Sequence, residues 1–150
     1  MQIFVDADAC PVKDEAAKVA ARHGLVIHYV SNSHMRLPLG DNVKRVVVSD
    51  GADAADDWIA EQAGAKDIVI TADIPLASRA IKEGAKVISH VGKPFTEDSI
   101  GMALAMRGLM AQLRETGEMR GSNPVFTPKD RSNFLQGLEN AIQLAKRSGS

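Results

Sequence analysis

An α/β fold built on a mostly parallel sheet of about five strands is the expectation for this chain, and three features predict it. Short runs rich in β-branched residues recur at 2–6 (QIFVD), 25–30 (LVIHYV), 43–49 (VKRVVVS), 67–71 (DIVIT) and 86–89 (KVIS). Between most of them, apolar residues fall at helical spacing. Gly24, Gly64 and Gly84 stand where those helices should close. Strands separated by helices imply crossover connections, and crossovers make neighbouring strands parallel.

The first strand is an apolar run that stops at an acid, Asp6. Pro11 is tolerated in a first helical turn, after which Val12, Ala16, Val19 and Ala20 share one face as far as Gly24. Asp53 is placed to cap a helix through Ala63, with Trp58, Ile59 and Gln62 near its apolar face, and Ile74 to Glu83 forms the next helix. Residues 31–43 lack helical periodicity and are long for a structureless connection. They leave the pairing of the second and third strands open. After Gly92 the pattern changes to a helix over Glu97–Arg114, a polar stretch over 116–130, and a last helix over 131–146 with Leu135, Leu138, Ile142 and Ala145 on one stripe. The Met-rich segment 102–110 reads as core or as a homodimer face, with core favoured. There is no internal repeat, and residues 1–150 are expected to form a single domain with a C-terminal helical elaboration.

Composition narrows the function classes. Eighteen basic residues against nineteen acidic ones leave a net charge of -1, which excludes a polybasic coat or an acidic tail. Any nucleic acid must therefore meet a local basic patch. A lone cysteine, Cys10, excludes an internal disulfide and all-cysteine zinc sites; a small packed residue is the better reading of it. The start, MQIFVDADAC, has no basic n-region, so no signal peptide is expected. No window approaches the ~18 to 20 apolar residues of a membrane span, and a cytoplasmic location is the expectation.

The acids carry the chemistry. Asp6 and Asp8 follow strand one, Asp50 and Asp53 follow strand three with Asp56 and Asp57 a turn further on, and Asp73 follows strand four. Beyond the carboxyl ends of parallel strands such groups converge on one crevice. Like charges brought together there need a proton or a cation between them, and oxygen-only ligation suits Mg²⁺ or Mn²⁺. Asp6 and Asp73 are the expected principal catalytic ligands, with Asp8, Asp53 and Asp57 as outer or second-metal ligands. Each also has a structural reading: Asp8, Asp53 and Asp73 stand where helix caps stand, and at least one of Asp56 and Asp57 is expected to be simply solvated. Lys13, Arg36 and Arg79 are the candidate phosphate contacts; Lys44, Arg45 and Lys93 lie near the same rim, Lys129 and Arg131 stand at the start of the last helix, and ordinary solvated surface is the alternative for all of them. Thr71 is read as bonding an acid or capping a loop, and His90 as a weaker candidate at the end of strand five. Aromatic residues make up only 4% of the chain, so extensive base stacking is not expected.

The segments VDADACPVK (5–13), SDGADAADDWI (49–59), TADIPLA (71–77) and FTPKDRSNF (126–134) closely resemble the YaiI/YqxD family of bacterial proteins, and the likeness runs over nearly the whole chain. That family is in turn similar to the PIN-like group of metal-dependent nucleases. The resemblance implies a three-layer PIN-like fold and cleavage of RNA or single-stranded nucleic acid by metal-activated water. It matches Asp6 to the acid after strand one and Asp73, within Thr71-Ala72-Asp73, to the last acid. Asp53, Asp56 or Asp57 would supply the middle acid, where PIN-like enzymes often carry a glutamate.

Three rivals stand beside this reading. DADAC resembles the D-x-D motif of haloacid-dehalogenase-type phosphatases, with Asp6 as nucleophile and Asp8 as acid/base; the later paired acidic motif is missing, with only Asp73 in its place. A receiver-like module would use Asp6, Asp8, Asp50, Thr71 and Lys93, but its first two acids are adjacent and here they are not. A metal- or RNA-binding module without turnover is the last. Divalent-metal-dependent phosphodiester hydrolysis, on RNA, ranks first.

Overall fold

A computed structural model describes residues 1–7, 10–32, 36–38, 40–48, 54–102, 105 and 126–148. The strands are β1 (Gln2–Asp6), β2 (Val26–Ser31), β3 (Val43–Val47), β4 (Ile68–Ile70), β5 (Lys86–Ile88) and β6 (Pro94–Phe95); the helices are α1 (Lys13–Arg22), α2 (Ala54–Gln62), α3 (Ile74–Lys82) and α4 (Pro128–Ser148). They form one six-stranded sheet in the order β3-β2-β1-β4-β5-β6. All pairs are parallel except β5 with β6. The α/β class and the mostly parallel sheet are as expected from sequence.

Side-chain alternation along the strands divides the core. Ile3 and Val5 of β1, with Ile27 and Tyr29 of β2 and Ile68 and Ile70 of β4, face α1 and α4. Phe4, Val30 and Val69 face α2 and α3 on the other side. Helices therefore cover both faces, as a parallel sheet buried on both sides requires. The third layer is completed by α4, which buries Phe134, Leu138, Ala141, Ile142 and Ala145.

Several expectations change. The sheet gains a sixth strand, β6, whose Pro94 tolerates only an edge position. β2 and β3 pair directly, with Ile27 opposite Val43 and Ser31 opposite Val47, so the long 31–43 connection joins neighbours. In α4 it is Phe134, not Leu135, that belongs to the buried stripe; Leu135 is 36% exposed. Residues 97–102 are helical, and most of the remainder of the expected 97–114 helix lies outside the described residues.

One close contact fixes the turn after β5. Gly92 has φ +82°, and a Cβ there would stand 2.1 Å from the Asn133 carbonyl oxygen. On the facing helix a Cβ at Gly137 would stand 2.3 Å from the Gly92 oxygen. Two glycines thus let α4 lie backbone to backbone against the turn.

Candidate active site

The chain enters the sheet at β1, moves outward through β2 and β3, then crosses back to place β4 on the other side of β1. The strand order reverses between β1 and β4. Loops on either side of such a point diverge and leave a crevice at the carboxyl ends of the strands, where open α/β sheets bind ligands. A cavity of about 260 Å³ lies there, lined by Asp6, Cys10, Ile70, Thr71, Ala72, Asp73 and His90.

Thr71 joins the two acids. Its hydroxyl, almost fully buried, donates to Asp6 Oδ2 at 3.0 Å and accepts from the Asp73 backbone N–H at 2.9 Å. A hydroxyl has one proton, and with Asp73 N–H donating to it, that proton is directed at Asp6. Asp73 also caps α3: its Oδ1 accepts from Leu76 N at 2.9 Å. The capping reading of Asp73 and its place in the cavity are both realised. An oxygen spent on a cap leaves the other for a ligand.

The remaining candidate ligands divide. Asp8 and Asp53 lie outside the described residues, as does Asp50. Asp57 is described, and it does not line the cavity; on the outer side of α2 its Oδ1 meets Arg79 Nη1 of α3 at 2.7 Å. Arg79 is thereby held by a carboxylate, whose hydrogen bond raises the guanidinium pKa further, and lines a different depression with Glu61, Lys82 and Glu83. Among the described residues no group of three or more His, Cys, Asp and Glu side chains is arranged to hold a metal ion.

Lys13 and Arg36 come together instead. With Arg45 and Arg131 they line an open groove of about 790 Å³ that also contains Asp14 and Glu15. Four cationic side chains against two acidic ones give the groove positive character. Lys13 Nζ donates to the Cys10 carbonyl at 3.2 Å. Arg131 Nε pairs with Glu15 at 3.0 Å, and its guanidinium lies 5.8 Å from the Phe126 ring centroid. Arg36 makes no salt bridge among the described residues. Cys10 lines both groove and cavity, so the two adjoin. Burial pushes its thiol up to about 11; it is neutral at physiological pH and is a wall, not a nucleophile.

Two residues have more prominence here than the sequence suggested. Thr71 is the link between the acids, and the T-x-D spacing was its signal. His90, half-buried, lines the cavity from the turn after β5, at the rim where its place at the end of a parallel strand put it.

The comparisons with known proteins agree on one family. The model described as "Uncharacterized BCR, YaiI/YqxD family" matches residues 4–144. A UPF0178 protein of Parvibaculum lavamentivorans is 62% identical over 97% of this chain and 96% of its own length. One from Rhodospirillum rubrum is 60% identical over 98% and 99%, and one from Rhodopseudomonas palustris 55% identical over 98% and 95%. No solved structure matches. No helix among the described residues is long and apolar enough to cross a membrane. With a family match spanning the strands, the acid cavity and most of α4, the chain belongs to the YaiI/YqxD family.

Proposed function

We propose that the chain is a PIN-like, divalent-metal-dependent hydrolase of phosphodiester bonds, acting on RNA. The observation that carries this reading is the shared cavity: Asp6 from the end of β1 and Asp73 from the segment after β4 line one recess at the point where strand order reverses. Two carboxylates are a fitting donor set for Mg²⁺ or Mn²⁺, since Mg²⁺ is commonly held by one or two carboxylates with waters and substrate phosphates filling the other positions. Bound there, the ion would supply Lewis-acid polarisation of a phosphodiester.

The chain's own residues then have definite tasks. Asp6 and Asp73 hold the cation, and the Thr71 hydroxyl, donating to Asp6 Oδ2 and accepting from the Asp73 N–H, orients the two relative to each other. Lys13 and Arg36, in the adjoining groove, take the neighbouring backbone phosphates. Asp8 and Asp53 are the further candidate ligands. Asp57 could join them only by leaving Arg79, and Arg79 could reach a phosphate only by leaving Asp57.

The test is manganese-dependent cleavage of a mixed RNA pool by the purified chain, repeated with Asp6→Asn and Asp73→Asn. Activity in the parent and loss in both variants supports the reading. Equal cleavage by all three identifies a contaminant and overturns it. Covalent labelling of Asp6 by acetyl phosphate would replace it with the phosphatase reading.

A further inference from the structure

Resting on the phosphodiester reading above, we propose that His90 is the stacking platform for one unpaired nucleobase beside the acid cavity, and so a specificity-determining residue of the site. Its imidazole lines the recess with Asp6 and Asp73. Behind it stands Phe126, ring centroids 6.4 Å apart and planes inclined by 51°. Phe126 packs against the core and also meets the Arg131 guanidinium, which lines the basic groove. An arc of imidazole, phenyl ring and guanidinium thus runs from the acid cavity to the cationic groove. These are groups that stack on base faces, next to groups that hold phosphates.

The turn that carries His90 is pinned. Ser89 Oγ accepts from the Val91 and Lys93 backbone N–H groups at 3.3 and 3.2 Å, and Ser89 N donates to the Lys93 carbonyl at 2.9 Å. The backbone contact of Gly92 with α4 pins the same turn from behind. A turn held this way has little backbone freedom left to lose when a base settles on the ring it carries. Every base has a π-face, whereas a base within a duplex has both faces covered, so a single ring selects an unpaired base of any identity. One such site agrees with a chain too poor in aromatic residues for extended stacking.

The experiment uses the full chain carrying Asp6→Asn, so that RNA is not consumed, with Mg²⁺ present. The probes are short single-stranded RNAs with one 2-aminopurine, moved through the sequence, and matched strands with an abasic site instead. Binding is expected to quench 2-aminopurine at one position, and an abasic site there to weaken affinity about tenfold. Adding His90→Phe, which keeps a π-face, preserves both effects. Adding His90→Asn, which keeps hydrogen bonding but no ring, abolishes the quenching and equalises the two strands. Equal affinity for intact and abasic strands without a His90 substitution overturns the proposal, as does failure to bind RNA. So does the reverse pattern, with His90→Asn active and His90→Phe not, because the ring nitrogens would then be serving a phosphate. Quenching that depends on His90 in a chain that cleaves nothing would sink hydrolysis and leave the platform standing.

Discussion

Acids occupy two regions of this molecule in different ways. On the outer faces of α2 and α3, Asp57 meets Arg79 at 2.7 Å, with half of each side chain in solvent. The pair's charges cancel locally. At the carboxyl ends of β1 and β4, Asp6 Oδ2 accepts from the Thr71 hydroxyl and Asp73 Oδ1 from the Leu76 N–H, both neutral donors. Neutral donors fix a carboxylate without discharging it. The exposed acid meets its cation at the surface, whereas two carboxylates brought to one recess at the strand ends favour a cation between them.

That contrast can be broken most decisively by removing charge without removing shape. Asp6→Asn and Asp73→Asn are expected to lower manganese-dependent RNA cleavage by at least about 100-fold, since even outer partners of a metal site commonly contribute about 10- to 100-fold. Asparagine caps helices about as well as aspartate, so Asp73→Asn should melt at nearly the parent temperature. Asp57→Asn and Arg79→Ala should leave cleavage within about twofold, and as an exposed pair they contribute about 0 to 1 kcal/mol to stability. A 100-fold loss in Asp57→Asn would erase the distinction between the two regions.

Next in size is the contact that holds His90's turn. Gly137→Ala places a methyl group against backbone, not against a movable side chain. Overpacking of this kind costs about 1–3 kcal/mol, read as a lower urea midpoint. Thr71→Val leaves the Asp73 N–H and an Asp6 oxygen without their shared hydroxyl; urea titration should register a loss of about 1–3 kcal/mol, and cleavage should fall with it. Thr71→Ser should restore both. Smaller again, Lys13→Ala or Arg36→Ala should weaken RNA binding without regard to sequence and reduce the slope of log K against log salt by about one.

The least effect is expected far from the site, where α1 meets α4. Glu139 accepts from Gln143, and His23 and Arg22 stand beside it. The Gln143 hydrogen bond first, then His23, holds its carboxyl below the ordinary 4.5. A carboxyl lowered in the folded state stabilises above its unfolded value, and that contribution disappears as pH falls through the folded one. Denaturant titrations at descending pH should therefore show a small loss below about 4.5 that Glu139→Gln lacks.

Much of this was written in the chain. β-branched runs ending in an acid, or in Thr71-Ala72-Asp73, mark both the strands and the places where their ends deliver carboxylates. Periodicity located α1 and α3 to within a residue or two. It could not choose between Phe134 and Leu135, adjacent residues of similar hydrophobicity, because the choice depends on how α4 is rotated against the sheet. Nor could it show that Asp57 and Arg79, 22 residues apart on different helices, would neutralise each other. β6 is a two-residue strand beginning with proline, which carries no periodic signal at all.

The central claim is that Asp6 and Asp73 share a cation, and a crystal soaked in Mn²⁺ addresses it directly. The account predicts anomalous density within coordination distance of both carboxylates, absent from Asp6→Asn. A cation-free recess at saturating Mn²⁺, with both side chains held by hydrogen bonds alone, would contradict it.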